Sequence, residues 1–267
     1  MRQQVVVVIL AFSGLAGQFA PQTGEKTVLA IRVSFLEDAQ ESTTGDGSFL
    51  QDTTHRCGDN LLDPPPHNRT YFEAQLRAVG NYFSSVSRGR LDIDLVASRV
   101  YPDDPVSSYS LEFPMNYYHP YEDEDLRDRR LAELYQDALE VAYERDSLQF
   151  GLYDVIAVFH AGIGQDFSLP FLDPTPEDIP SAYLDVTFLE EQLDDVRFPF
   201  PGILLPETQN HLLYGIADDI FVGVDDPCDY QFGLTGTFAL MVGFALGLPP
   251  LWETESGQPG VGVFALM

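Results

Sequence analysis

Apolar residues recur along this chain in two patterns. Residues 27–35 and 153–160 are nearly continuous runs of apolar and β-branched residues, typical of strands that are buried on both faces of a sheet. Residues 71–84 and 126–145 carry apolar residues at helical spacing on one side. Residues 235–247 are apolar almost all round, as in a helix at the centre of a domain. The sequence therefore predicts alternating strands and helices around a common core.

The remaining stretches are less regular. Residues 91–96 alternate between apolar and polar and predict a strand, whereas residues 37–66 predict a long loop. Residues 165–233 are rich in proline and aspartate, with short strand candidates only at 183–187 and 215–224. The fold class predicted from this order is α/β, a mixed twisted sheet with flanking helices and a central buried helix.

Composition limits the function of the chain. The 267 residues are 45% hydrophobic, enough for a substantial buried core. Asp and Glu number 42 against 14 Lys and Arg, which gives a formal net charge of −28. A surface of that sign repels nucleic acid and anionic lipid, so we exclude nucleic-acid binding. The acidic excess resembles that of halophilic proteins, and an acidic surface kept for solubility alone is the alternative.

The N-terminus has the pattern of an export signal. Met1 and Arg2 give a short basic start, and residues 5–15 form an apolar run that is followed by small residues. A run of about 11 residues is too short to span a bilayer, which needs roughly 20. We expect a signal peptide over residues 1–20, a secreted or periplasmic protein, and no membrane insertion after signal removal. A buried first strand is the alternative interpretation.

Cysteine and aspartate residues give two further candidate features. Cys57 and Cys228 are the two cysteines, and in an exported chain two cysteines more often pair than stay free. The sequence does not show whether they meet, so a disulfide remains a candidate. Asp225, Asp226 and Asp229 are weak candidates for calcium ligands, because calcium prefers oxygen donors. A solvated acidic loop is the plainer interpretation of these aspartates.

Three stretches of the chain carry a family resemblance. Residues 72–93 predict a helix followed by a strand, residues 153–164 a buried strand that ends in H-A-G, and residues 236–252 read GTFALMVGFALGLPPLW. Residues 260–267 follow as GVGVFALM. Together they resemble the immune inhibitor A family of zinc metallopeptidases. The resemblance implies a zincin-like or metzincin-like domain over residues 27–267, C-terminally incomplete because it ends at the methionine turn.

The resemblance also shows what the chain has lost. In the family, the helix matched by residues 236–252 carries the zinc-binding motif H-E-x-x-H. Carried over position by position, the two histidine ligands fall on Leu240 and Phe244, the general base on Met241, and the third ligand on Pro250. The residue of the methionine turn is Met267.

These substitutions remove the chemistry of the site. Zinc takes imidazole nitrogen, thiolate or carboxylate oxygen as ligand, and Leu240, Phe244 and Pro250 offer none of these. With methionine at position 241, no side chain stands there to take a proton from a zinc-bound water. We therefore expect no catalytic residue, no metal ligand and no cofactor in this chain, whereas active relatives use zinc. Calcium remains open as a structural ion.

Five histidines complete the candidate residues. His160 ends an apolar strand and matches the H-A-G turn, so we interpret it as structural. The others show no ligand spacing and are predicted to be loop residues: His55, His67, His119 and His211.

Three functions follow as hypotheses. The leading hypothesis is a secreted pseudopeptidase that binds a protein or peptide, or serves as a structural module. The first alternative is an active zinc-dependent endopeptidase with ligands from elsewhere in the chain. The second is an adhesion module that calcium stabilises.

Overall fold

The computed structural model describes residues 22–53, 57, 60–121, 123–167, 173–217 and 226–249. The predicted signal peptide (1–20) and the methionine turn (260–267) lie outside the described residues. The helices are α1 (Arg69–Ser87), α2 (Met115–Tyr118), α3 (Glu124–Asp146), α4 (Val186–Gln192) and α5 (Leu234–Ala245). The strands are β1 (Gly24–Lys26), β2 (Val28–Ser34), β3 (Leu91–Ile93), β4 (Arg99–Tyr101), β5 (Tyr109–Ser110), β6 (Val155–Ile163), β7 (Ala182–Leu184) and β8 (Gly202–Thr208). Among the described residues, no helix combines the length and the apolar character that crossing a bilayer requires.

The main sheet is mixed. Its strand order is β4-β2-β6-β8-β7, and β5 pairs with β2 beside this path. Strands β4, β2, β6 and β8 are mutually parallel where they pair, and β7 runs antiparallel to β8 at one edge. Strands β1 and β3 form a separate parallel pair. The predicted α/β fold with a mixed sheet and flanking helices is confirmed.

Helices cover both faces of this sheet. On one face, the Phe159 ring of β6 lies 4.7 Å from the Phe72 ring of α1 and 5.1 Å from the Phe238 ring of α5. Side chains alternate between the faces of a strand, so Gly202 of β8 points to the opposite face. A side chain at Gly202 would collide with the Tyr135 ring of α3. Helices α1 and α5 therefore share one face, and α3 covers the other.

The long helices begin at side chains that cap them and end at residues in the left-handed conformation. The Asn68 side chain accepts a hydrogen bond from the main chain of α1, and Asp123 does the same for α3. Each helix ends at a residue in the left-handed conformation, Arg88 after α1 and Ser147 after α3. These residues set where the two helices begin and end.

Some predicted elements are wrong. The proline-rich region holds a fully buried strand, β8, that was not predicted. The strand candidate at 183–187 covers the end of β7 and the start of α4, because the Asp185 side chain caps that helix at Phe188. In the candidate at 215–224, residues 215–217 are not strand, and residues 218–224 lie outside the described residues. The strand predicted over 91–96 ends at Ile93.

A disulfide joins two distant parts of the chain. Cys57 and Cys228 are joined, with their Cα atoms 5.6 Å apart and a sequence separation of 171. The bond links the loop before α1 to the segment before α5. The pairing that the sequence left open is therefore formed in the structure.

Candidate functional site

Helix α5 holds Leu240, Met241 and Phe244, which the resemblance aligns with two zinc ligands and the general base of the family. Met241 and Phe244 are 9% and 3% exposed, and the half-buried Leu240 packs against the same hydrophobic core. None of the three side chains has a nitrogen or an anionic oxygen to offer zinc, so the donor set on α5 does not suit that metal. Pro250 and Met267 lie outside the described residues.

A distant carboxylate holds the start of α5. The helix has no N-cap side chain of its own. Instead, Asp63 Oδ2 accepts a 2.7 Å hydrogen bond from the Leu234 main-chain N–H and a 2.9 Å bond from Thr208 Oγ1. Gln75 Nε2 donates to Asp63 Oδ1 at 2.9 Å, and Thr235 Oγ1 donates to Gln75 Oε1 at 2.6 Å. These bonds supply the acceptor that the first turn of a helix needs.

A fully buried carboxylate, Glu207, lies at the end of β8. Its side chain is fully buried and accepts bonds from four groups. The Leu50 and Gly162 main-chain N–H groups donate at 2.9 Å and 2.7 Å, and the Tyr214 hydroxyl donates as well. The Nδ1 atom of His67 lies 2.5 Å from Glu207 Oε2. Both carboxylate oxygens of Glu207 therefore have hydrogen-bond partners, and these partners come from four separate segments of the chain.

His67 is held as a cation beside this carboxylate. Its Nε2 atom lies 2.8 Å from the main-chain oxygen of Asp63, which can only accept, so Nε2 carries a hydrogen. Burial lowers the pKa of His67, but the hydrogen bond and the charge of Glu207 outweigh that effect and raise the pKa above 6.5. His67 thereby connects the Glu207 cluster to the segment that anchors α5.

Three other histidines are buried in neutral form. His160 is fully buried with Nδ1 2.9 Å from the Ala161 oxygen, and burial lowers its pKa to about 4. Burial likewise lowers the pKa of His119 and of His211 to about 4. His211 begins a short 3-10 helix, His211–Tyr214, so its prediction as a loop residue is wrong. His55 lies outside the described residues.

Asp178 supports a prediction about pH. Burial raises the pKa of this carboxyl from 3.8 to about 8, and its Oδ1 accepts from the main-chain N–H and the hydroxyl of Thr44. Because the pKa of Asp178 is higher in the folded protein than in the unfolded chain, the folded state is most stable below pH 3.8 and loses stability as pH rises toward 8. Asp178→Asn, which resembles the protonated acid, should therefore unfold with a free energy about 2 kcal/mol higher near pH 8 and unchanged near pH 4.

Urea denaturation at both pH values measures this difference. Asp194→Asn is the matched control, because the Asp194 side chain is 94% exposed and its loss should matter little at either pH. Equal stabilities of wild type and Asp178→Asn at pH 8 would contradict the expected burial of a carboxylate.

The calcium candidates are only partly described. Asp226 and Asp229 are exposed, and Asp226 Oδ1 accepts a 3.0 Å bond from the Cys228 N–H. Asp225 lies outside the described residues. Within the described ranges, no three His, Cys, Asp or Glu side chains are grouped as a metal site requires.

The sequence did not point to the polar residues beneath α5. Asp63, His67 and Glu207 come from a loop and from a strand that was not predicted, and no local spacing joins them. The sequence holds one sign of this cluster, because a single carboxylate at position 207 directly follows the apolar and uncharged run of residues 202–206. A charge on a strand that is buried throughout needs a partner, and that partner is His67.

Comparison with known proteins adds no relative. No protein-family model matches this chain. No curated protein matches it either. The resemblance to the immune inhibitor A family therefore depends on the stretches quoted above.

Proposed function

We propose that this chain is a secreted protein with an immune inhibitor A-like, metzincin-like fold, that it does not hydrolyse peptides, and that it binds a protein or peptide or serves as a structural module. One observation carries the proposal. On α5, the positions that match the family's two histidines and its general base hold Leu240, Phe244 and Met241, which pack into the core. The implied fold, a mixed sheet with flanking helices and a buried helix, agrees with the sheet order and the position of α5.

A peptide partner has a suitable place to dock. In the described sheet, β7 is one of the two terminal strands, paired on one side with β8, and it contacts α5. A terminal strand offers main-chain donors and acceptors to an added strand, which is a recurring mode of peptide recognition. The disulfide supports export, because such bonds persist in oxidising compartments.

Zinc analysis together with a casein assay tests the loss of activity. We expect the purified protein to contain no stoichiometric zinc and to leave fluorescently labelled casein peptides intact, with and without a chelator. The polarisation of the same labelled peptides, followed during titration with protein, should rise to saturation if the chain binds peptides without cleaving them.

The alternative of an active zinc endopeptidase makes the opposite prediction. Stoichiometric zinc and casein cleavage that a chelator abolishes would overturn the proposed loss of activity. A zinc peptidase assayed in parallel shows that the substrate and the chelator work. If the labelled peptides are not cleaved and their polarisation does not change, peptide binding is ruled out and the role as a structural module is left.

A further inference from the structure

A cavity of about 300 Å³ lies between α1 and the segment that joins β3 to β4. The residues that α1 contributes to this cavity are spaced by three, four, seven or eight positions, so they lie on one face of the helix. The residues lining the cavity are Arg69, Glu73, Leu76, Arg77, Leu95, Ser98, Arg99 and Val100. Three arginines thus meet in one cavity of a chain whose net charge is −28.

The charges of these arginines are not all neutralised. Arg69 is paired, with its Nε 2.8 Å from Glu73 and a terminal nitrogen 3.2 Å from Asp103. Arg99 donates to the main-chain oxygens of Val96 and Ser98, not to a carboxylate.

Arg77 is exposed, and within the described ranges it forms no hydrogen bond or ion pair. Two guanidinium groups at this cavity therefore keep donors for a ligand.

The cavity also has an apolar part. Leu95, at the opening, is 43% exposed and forms the apolar wall that a ligand can reach, while Leu76 and Val100 are 4% and 2% exposed and close the cavity on the side of the core. Val96, next along the chain, is 83% exposed. Guanidinium groups bind planar oxyanions through paired hydrogen bonds, and the apolar wall favours a ligand with a hydrocarbon portion.

We propose that this cavity binds a small organic anion, a carboxylate or a phosphate ester, with its oxyanion between Arg77 and Arg99 and its apolar group against Leu95. The site uses no residue on which the proposed function depends. It offers the anion a local positive charge on a surface that otherwise repels anions.

Calorimetric titration with phenyl phosphate, hexanoate and inorganic phosphate tests the proposal, at one fixed ionic strength at which circular dichroism shows the protein to be folded. We expect saturable binding of at least one organic anion, and weaker binding of inorganic phosphate because it lacks an apolar group. The variant Arg77→Gln/Arg99→Gln should weaken binding roughly tenfold or more, since it removes charged hydrogen-bond donors.

The control variant is Arg129→Gln/Arg197→Gln, which changes the net charge equally at exposed residues that pair with Glu133 and Glu140 of α3. It should bind the anions as the wild type does. No saturable binding of either organic anion, or equal affinities in the two double variants, would overturn the site. Phosphate binding as tight as that of phenyl phosphate would overturn the role of the apolar wall.

Discussion

Replacing Glu207 by alanine is expected to lower the free energy of unfolding by about 4 kcal/mol. The substitution leaves His67 and two main-chain N–H groups buried without their acceptor, and it removes the partner of the Tyr214 hydroxyl. Removing one member of a buried pair costs more than the pair contributes, because the remaining charge stays out of water. Urea denaturation followed by circular dichroism gives the difference.

The pH dependence identifies His67 as the partner. Its folded pKa is raised above 6.5, so its contribution to stability is complete below that pH and is lost as pH rises through the folded value. The cost of Glu207→Ala should therefore be largest below about pH 6.5 and decrease at alkaline pH. Glu190→Ala, at an exposed position on α4, is the control and should change stability by less than about 0.5 kcal/mol. A cost that is the same at every pH would argue against a charged His67.

Breaking the Cys57–Cys228 disulfide is expected to cost about 5 kcal/mol in the chain-entropy description, because the bond closes a loop of 171 residues in the unfolded chain. The variant Cys57→Ser/Cys228→Ser should therefore unfold at a clearly lower urea concentration than the oxidised wild type. The measurement is the urea midpoint with and without a reductant.

The reductant provides an internal control for this second prediction. It should lower the midpoint of the wild type to near that of the double serine variant and leave the variant itself unchanged. A wild type whose midpoint does not respond to reductant, although free-thiol titration shows that the bond is open, would contradict a stabilising role for the bond.

The main elements could be predicted from local pattern alone. Strand β6 and helices α1, α3 and α5 each have a continuous or periodic apolar signal, and each forms close to its predicted bounds. Their apolar patterns are long enough to outweigh the tendencies of single residues.

Strand β8 could not be predicted in this way. It contains Pro206, which cannot donate to a neighbouring strand and usually argues against a central strand. In the structure Pro206 is paired with His160, and the register of the two strands shifts directly afterwards. Such an irregularity is where a sheet accommodates a proline, but it depends on the partner strand and has no local signature.

The candidate site also has a part that could be predicted from the sequence and a part that could not. The positions of Leu240, Met241 and Phe244 follow from the order of residues in one helix, so a motif comparison could place them. The Asp63, His67 and Glu207 cluster joins residues up to 171 positions apart when the link to Leu234 is included. Contacts of that range arise only when the sheet has assembled, and the single carboxylate at position 207 shows that a partner is needed without showing which residue it is.

The dependence of α5 on Asp63 limits how the chain can be divided for recombinant work. A fragment that starts at α1 would contain every strand of the main sheet from β4 onward and the whole of α5. It would still lack the acceptor for the Leu234 N–H, since that acceptor belongs to a loop before α1. Any shortened version intended to keep α5 in place should therefore retain residue 63, and it should begin before β2, which lies between β4 and β6 in the main sheet.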